Sequence, residues 1–228
     1  MNVLVVAAHP DDEVLGCGAT IARHVKRGDL VHVLILAEGV TSRDVRRSRA
    51  RRKGELADLT RAARKANRLL GVSSLDMRDF PDNRMDSVDL LEIIKAVEGV
   101  VMKLEPQVVY THHGGDLNVD HRMVSGAVCT ACRPVPGQTV RTVLFFEVPS
   151  STDWQPAAAA VPFIPNWFVD VTEFLPAKLA ALGAYRSELR PWPHSRSLEA
   201  VEHLARSRGG CVGFGAAEAF ALGRHIET

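Results

Sequence analysis

A histidine, a proline and three acidic residues are consecutive near the start of the chain, in the order His9-Pro10-Asp11-Asp12-Glu13. Acidic side chains at a helix N-terminus accept hydrogen bonds from free backbone N–H groups, which accounts for one or two of the acids. This does not account for His9, because the helix dipole repels a positive imidazole. A neutral imidazole three residues before a carboxylate makes a natural pair of metal ligands. The sequence therefore predicts a metal ion on His9 and Asp12, with Asp11 beside it as a base for water.

A second polar segment, Thr111 to Arg122, contains the third ligand that such a site needs. A hydrolytic zinc centre takes three protein ligands and leaves a fourth position open for water. We expect His121 to be this ligand, because the neighbouring carboxylate of Asp120 can orient an imidazole. His112 and His113 are rivals: we favour a solvated or hydrogen-bonded side chain for His112, and both interpretations stay open for His113. Zinc is the expected ion, although these ligand types also suit iron(II).

Apolar periodicity predicts the secondary structure that positions these residues. Val3 to Ala8 is a continuous apolar run, typical of a strand buried on both faces, and Leu15 to Lys26 has apolar residues at helical spacing. Further strands are predicted at 30–37, 73–80, 107–111, 140–148 and 167–171, and further helices at 56–70, 88–104, 121–132, 177–187 and 198–208. This order predicts an α/β fold, Rossmann-like, with a mostly parallel sheet and helices on both faces. Ligands of such sheets bind at the carboxyl ends of the strands, where both polar segments begin.

The pattern changes after Pro149, where prolines break the chain into loops around short elements. No repeat or low-complexity linker separates the two parts. We therefore predict a single domain, residues 1–228, made of a Rossmann-like core (1–149) and a loop-rich C-terminal extension (150–228) that covers the site.

Length and composition are typical of a globular, enzyme-sized domain. The 228 residues are 46% hydrophobic and 24% charged, and 28 basic against 27 acidic side chains give a formal charge of +1, so we expect no nucleic-acid partner. Four cysteines are too few for a disulfide scaffold. No apolar run is long enough to span a membrane, and the N-terminus lacks the pattern of a signal peptide. We expect a cytoplasmic protein, and the sequence leaves open whether it is a monomer or a homo-oligomer.

Two motifs in combination resemble a known family. The hexapeptide Ala8 to Glu13 (AHPDDE) and the pentapeptide Asp120 to Val124 (DHRMV) are similar to those of the LmbE-like (PIG-L) zinc-dependent N-deacetylases. Enzymes of this family act on N-acetylglucosamine-type amino sugars attached to lipid, inositol, nucleotide or antibiotic groups. The resemblance implies a zinc-dependent hydrolase that releases acetate and a free amine from a small amino-sugar conjugate. The resemblance also implies that His9, Asp12 and His121 bind the zinc ion and that Asp11 is the general base.

The same resemblance implies a further donor for the oxyanion. The family often has a histidine three residues before its last zinc ligand, and this position is Asn118 here. An amide can donate a hydrogen bond but has no positive charge. His194, in the proline-rich segment Arg190 to His194, and His113 are the candidate replacements.

Basic and polar residues near the two motifs are candidates for binding substrate. The basic segment, residues 43–53, contains six arginines and one lysine, which we interpret mainly as a solvated helix face or loop. The alternative is a site for a phosphate-bearing substrate. Arg52, in an Arg-x-x-Glu pattern, resembles the arginine that reaches into sites of the family. Arg84 follows the third strand in a polar tripeptide that could bind sugar hydroxyls or form a turn, and Asn118 is the third candidate.

Three other functions fit parts of the pattern. Gly16 and Gly18 imitate a dinucleotide-binding fingerprint, but Ile21 stands where the third glycine should be, and the nearby carboxylates would repel a pyrophosphate. A zinc amidase for small non-sugar amides and a non-catalytic metal- or sugar-binding module are the alternatives. Acetylated substrates and tightly bound zinc distinguish them from a deacetylase.

Overall fold

The computed structural model describes residues 1–227. This part of the chain has seven strands: β1 (Asn2–Ala7), β2 (Leu30–Ala37), β3 (Ser74–Phe80), β4 (Val108–His112), β5 (Thr142–Phe146), β6 (Trp167–Asp170) and β7 (Ala217–His225). It also has six α-helices: α1 (Asp12–Lys26), α2 (Lys53–Leu70), α3 (Leu90–Leu104), α4 (Val119–Ala131), α5 (Leu175–Leu182) and α6 (Leu198–Gly210). None of these helices is long and apolar enough to cross a membrane.

The strands form one sheet in the order β3-β2-β1-β4-β5-β7-β6. The first five run parallel, whereas β7 is antiparallel to both of its neighbours. β1 lies at the centre of the parallel part, with Val5 beside Val33 of β2 on one side and Tyr110 of β4 on the other. The predicted α/β fold with a mostly parallel sheet is confirmed.

The two faces of the sheet bury two separate apolar clusters. Because alternate residues of a strand point to opposite faces, Val3 and Val5 of β1 pack in one cluster and Leu4 and Val6 in the other. The first cluster includes residues of α1, α2, α5 and α6, and the second includes residues of α3 and α4. Helices therefore cover both faces, and β1 is apolar along its whole length because it is buried on both of them.

The sequence did not predict β7, which joins the C-terminal extension to the sheet. Two of its four buried residues are Ala217 and Ala219, and alanine has a low strand propensity that leaves little signal in the sequence. β7 pairs with β5 and with β6. The extension therefore adds two strands and two helices to the fold in addition to its loops.

Gly16 allows α1 to pack closely on the sheet. A Cβ at this position would overlap the ring of Phe146 at the end of β5. Close packing on the sheet therefore explains Gly16, which is one of the two glycines that imitate a dinucleotide-binding fingerprint.

Candidate metal centre

The loop between β1 and α1 turns sharply at Asp11. Its backbone has φ 115° and ψ −28°, a left-handed conformation that a residue with a Cβ rarely adopts. The Asp11 N–H donates a hydrogen bond of 3.0 Å to the fully buried carboxylate of Glu13. The Asp12 N–H donates to the carbonyl oxygen of His9 at 3.2 Å. These bonds fix a tight turn at the carboxyl end of β1.

Three predicted ligands, His9, Asp12 and His121, meet at this end of the sheet. Oδ2 of Asp12 lies 3.1 Å from Nδ1 of His9 and 3.2 Å from Nε2 of His121, and one ligand atom from each residue lies within 4.8 Å of the others. Burial alone would raise the pKa of Asp12, but the two histidines lower it well below its usual range. The cluster therefore combines an anionic carboxylate with two imidazoles that are close enough to share one cation.

Two atoms of this cluster have no hydrogen-bond partner among the described residues. They are Oδ1 of Asp12 and Nε2 of His121, and both are buried. Leaving such an atom unsatisfied costs about 1–3 kcal/mol, and native proteins rarely do so without a water or an ion at the site. A divalent cation would satisfy both atoms, and two imidazoles with one carboxylate are ligands that zinc accepts. The residues therefore fit a bound metal.

Asp120 contacts His9 and not its neighbour His121. Its Oδ2 lies 3.0 Å from Nε2 of His9, and its carboxylate accepts hydrogen bonds from the N–H groups of Asn83 at 2.6 Å and Met85 at 2.9 Å. The prediction that Asp120 orients His121 is therefore wrong. Adjacent residues of a helix point about 100° apart, so neighbours in sequence rarely face each other there.

The carboxylate that contacts the far side of His121 is Asp116. Its Oδ1 lies 3.1 Å from Nδ1 of His121, and it accepts hydrogen bonds from the hydroxyl groups of Ser151 and Thr152. Burial alone would raise the pKa of Asp116, but these three contacts lower it below its usual range. Each imidazole of the cluster therefore has one nitrogen toward Asp12 and the other on a carboxylate, an arrangement typical of metal-binding histidines.

The carboxylate of Asp11 has one side-chain partner in the described part of the chain. This partner is Arg196, whose Nη1 lies 3.2 Å from Oδ2 of Asp11. Burial raises the pKa of Asp11 to about 8, against the opposing effect of the Arg196 charge. A carboxyl group that titrates in this range can accept a proton and return it near neutral pH. This behaviour suits the general base that the sequence predicts at Asp11.

His112 is held by the backbone of the neighbouring loop. Its Nε2 accepts a hydrogen bond of 2.8 Å from the Ala8 N–H, and its ring stacks on that of His121 with centroids 3.9 Å apart. Burial and the nearby His121 lower its pKa well below the usual value, so the ring is neutral. The expectation of a hydrogen-bonded His112 is confirmed.

His113 and His194, the candidate replacements for the auxiliary histidine, both bind the protein itself. Nε2 of His113 lies 2.9 Å from the carbonyl oxygen of Val161. Nδ1 of His194 accepts a hydrogen bond of 3.0 Å from the Arg196 N–H, and its ring packs edge-on against Trp154. Neither histidine is among the side chains that cluster around Asp12.

Asn118 begins α4. Its Oδ1 accepts a hydrogen bond of 2.8 Å from the Asp120 N–H, as a helix N-cap does. Its Nδ2 donates to Oδ1 of Asn83 at 2.7 Å. The amide that stands in the place of the auxiliary histidine therefore has a structural partner on each side.

Arg52 and Arg84 are also held by the protein itself. Arg52 donates to both carboxylate oxygens of Asp44, at 2.8 and 2.9 Å, and to Glu55 at 2.7 Å. Nη2 of Arg84 donates to the carbonyl oxygens of Asp44 and Val45 at 3.0 Å each. Both arginines thus stabilise the basic segment, and substrate binding by them stays a prediction.

The sequence patterns do not indicate two functional candidates, Asp116 and Arg196. Asp116 lies five residues before His121 in the same polar segment. A carboxylate this close in sequence to a predicted ligand is the signal that could indicate a partner for its imidazole. Arg196 follows His194 by two residues, but it is separated from Asp11 by 185 residues. No local spacing indicates that contact.

Comparison with known proteins identifies similar chains. The family profile described as "PIG-L: GlcNAc-PI de-N-acetylase" matches residues 4–132, which include all three residues of the cluster. The chain is 30% identical over 192 residues to the "Uncharacterized deacetylase YaiS" of Escherichia coli, covering 82% of this chain and 91% of that protein. It is 26% identical to the 1D-myo-inositol 2-acetamido-2-deoxy-alpha-D-glucopyranoside deacetylase of Mycolicibacterium vanbaalenii, covering 90% and 86%.

The fold is also similar to a solved structure. The N,N'-diacetylchitobiose deacetylase of Pyrococcus horikoshii matches with a TM-score of 0.76 and 20% sequence identity, covering 97% of this chain and 83% of that one. At this identity the likeness concerns the fold alone.

Proposed function

The chain belongs to the PIG-L family of de-N-acetylases, and from this premise we propose that it is a zinc-dependent N-deacetylase of amino-sugar conjugates. The reaction adds water across the acetamide C–N bond and releases acetate and a free amine. Two of the similar proteins are by name deacetylases of an inositol-linked 2-acetamido-2-deoxyglucose and of diacetylchitobiose. Their names support an N-acetylglucosamine-type sugar as the substrate.

One observation supports this proposal above all others. His9, Asp12 and His121 converge on a point where two buried polar atoms have no partner among residues 1–227. The buried carboxylate of Asp11 follows in the same tight turn. A purely structural cluster would not leave these two buried atoms without a partner.

The metal ion and the side chains of the site have separate roles in the proposed reaction. When bound, the metal ion supplies Lewis acidity that polarises the acetamide carbonyl and acidifies water. Asp11 accepts the proton of the attacking water and passes it to the departing amine nitrogen, so that its carboxylate is regenerated. Asp120 and Asp116 orient the imidazoles of His9 and His121 through their outer nitrogens.

Zinc is the proposed ion, because three nitrogen and oxygen ligands with an open fourth position are typical of hydrolytic zinc sites. Iron(II) accepts the same ligand types, so metal analysis decides between them. A phosphate-bearing substrate has little support, because four arginines of the basic segment already form ion pairs within the protein. The cytoplasmic location, the single-domain organisation and the oligomeric state stay predictions.

Metal analysis combined with acetate release tests the proposal. The purified protein is expected to contain about one zinc ion per chain and to release acetate from N-acetylglucosaminyl conjugates, but not from small non-sugar amides. Asp11→Asn should keep the zinc while lowering kcat about 100-fold or more. Asp86→Asn is the matched control, because Asp86 is exposed.

Three outcomes would contradict parts of the proposal. A protein without tightly bound metal and without activity would be a binding module. Hydrolysis confined to non-sugar amides would make it an amidase of another class. Full activity of the Asp11→Asn variant would remove Asp11 from the role of base.

A further inference from the structure

The loop before α6 brings one arginine into contact with the turn that follows β1. Nη1 of Arg196 lies 3.2 Å from Oδ2 of Asp11, and its Nε donates a hydrogen bond of 2.6 Å to Oγ of Ser150. These three residues come from three separate loops. The guanidinium group thus links the C-terminal extension, the loop after β5 and the loop after β1 at a single point.

These contacts of Arg196 with Asp11 and Ser150 form a bridge, and several further contacts fix its position. Ser150 has φ 69°, a left-handed conformation that is uncommon for serine. The N–H of Arg196 donates to Nδ1 of His194 at 3.0 Å. Ser197, the next residue, caps α6 by accepting a hydrogen bond of 3.0 Å from the Ala200 N–H. Local hydrogen bonds therefore fix the backbone of Arg196, and the bond to Ser150 fixes the position of its Nε.

Asp11 depends on this bridge for the position of its carboxylate. Glu13 holds the Asp11 backbone N–H, but a fixed backbone still allows more than one staggered side-chain rotamer. Within residues 1–227, Arg196 is the side chain that hydrogen-bonds to the Asp11 carboxylate. A base that is displaced by about 1 Å can lower a rate about 100-fold.

We propose that Arg196 is a positioning residue of the hydrolytic site, which holds the Asp11 carboxylate in place by bridging it to Ser150. This inference rests on the proposed function, because it takes Asp11 as the base. The C-terminal extension then completes the site that the N-terminal loop begins. An arginine suits this role because its planar guanidinium binds two partners in fixed directions, whereas a lysine ammonium has no fixed fork.

Kinetics of three variants at full zinc occupancy test the inference. Arg196→Gln should lower kcat about 100-fold, with KM changed less than about threefold. Ser150→Ala keeps the charge but removes one anchor, and it should lower kcat about 10-fold. Arg190→Gln is the matched control from the same loop, since Arg190 is exposed and donates to the local carbonyls of Ser187 and Leu189. It should retain the wild-type kcat.

Crystal structures of the same proteins give a readout that needs no substrate. In Arg196→Gln the Asp11 carboxylate should occupy more than one position, and in Arg190→Gln it should occupy one. A kcat of Arg196→Gln within about threefold of wild type, or an unmoved Asp11 carboxylate, would overturn the inference. If wild type releases no acetate from any conjugate, the proposed function fails, while the structures still decide whether Arg196 positions Asp11. Should Arg196→Gln not fold, Ser150→Ala provides both measurements.

Discussion

Oδ1 of Asp116 lies 3.1 Å from Nδ1 of His121, on the side of the ring opposite the nitrogen that faces Asp12. The hydroxyl groups of Ser151 and Thr152 donate to the same carboxylate. A carboxylate on the outer nitrogen keeps the proton there, so that Nε2 retains its lone pair for a metal ion. Asp116 therefore determines which tautomer His121 offers to the site.

Replacing Asp116 by asparagine should weaken metal binding without removing a ligand. We expect Asp116→Asn to lower zinc affinity about 10–100-fold, because the neutral amide orients the imidazole less strongly than a carboxylate does. Competition with a chromophoric chelator measures the affinity, and Asp86→Asn serves as the exposed control. An affinity within about threefold of wild type would show that Asp116 does not tune the metal site.

Glu13 connects the turn at Asp11 to the core. Its carboxylate accepts the Asp11 N–H at 3.0 Å, Nδ2 of Asn67 at 2.9 Å and the hydroxyl of Tyr185 at 2.5 Å. Burial raises its pKa to about 7 against the effect of these bonds. Three donors converge on one buried side chain, so a glutamine, with its single acceptor oxygen, cannot satisfy all of them.

Glu13→Gln should therefore destabilise the fold by about 2 kcal/mol, because at least one buried donor loses its acceptor. Tyr185→Phe removes one donor and leaves the other two bonds, so we expect a smaller cost of about 1 kcal/mol. Urea unfolding of the three proteins measures both values. If Glu13→Gln unfolds at the wild-type midpoint, the turn does not depend on this carboxylate.

Local spacing predicted the ligand cluster. His9 and Asp12 lie on one tight turn, so their contact follows from short-range geometry. His121 joins them because the carboxyl ends of neighbouring parallel strands meet at one edge of the sheet. The sequence does not show which carboxylate contacts the outer nitrogen of each histidine, because that depends on the direction in which each side chain points. Asp120 accordingly faces His9, and Asp116 takes the position on His121.

Contacts made by the C-terminal extension could not be predicted from periodicity. Arg196 precedes α6 and reaches Asp11, and β7 pairs with β5 although two of its four buried residues are alanines and one is Glu218. Apolar spacing encodes which face of an element is buried, but it does not encode which distant element covers that face. The hydrogen bond between Arg196 and Asp11 is one of these long-range contacts.

A buried ion pair supports the interruption of α1. Cys17 leaves helical geometry, with φ −148°, and the freed N–H groups of Ala19 and Thr20 donate to Glu218 at 3.1 and 2.6 Å. Nζ of Lys178 lies 2.6 Å from Oε1 of Glu218, and both side chains are almost fully buried. Glu218 therefore needs Lys178 to balance its charge in the core.

Lys178→Met should cost about 3–5 kcal/mol in the free energy of unfolding, because it leaves the Glu218 carboxylate buried without a counter-charge. In the double variant Lys178→Met/Glu218→Gln the charge is absent, and part of this loss should return. Lys103→Met, at an exposed position, is the control. Additive effects of the two substitutions in a double-mutant cycle would show that the pair is not coupled.

His24 makes the fold sensitive to mild acid. Nδ1 of His24 lies 2.7 Å from Oδ2 of Asp29, and its Nε2 lies 2.9 Å from the hydroxyl of Tyr110. Burial lowers the pKa of His24, assisted by the charges of Arg23 and Arg27 and partly opposed by Asp29. The amino group of Met1, 3.0 Å from Oδ1 of Asp29, further neutralises that carboxylate.

The unfolded chain therefore binds a proton at His24 at a higher pH than the folded chain does. The stabilising effect of the neutral ring is complete above the unfolded pKa of about 6.5, and it is lost as the pH falls toward the lower folded pKa. We expect the difference in urea midpoint between wild type and His24→Gln to shift against wild type between about pH 7.5 and 5.5. All other side chains are the same in both proteins, so the difference isolates His24. His203→Gln, at an exposed position, is the control. Equal slopes for wild type and His24→Gln would refute the assignment.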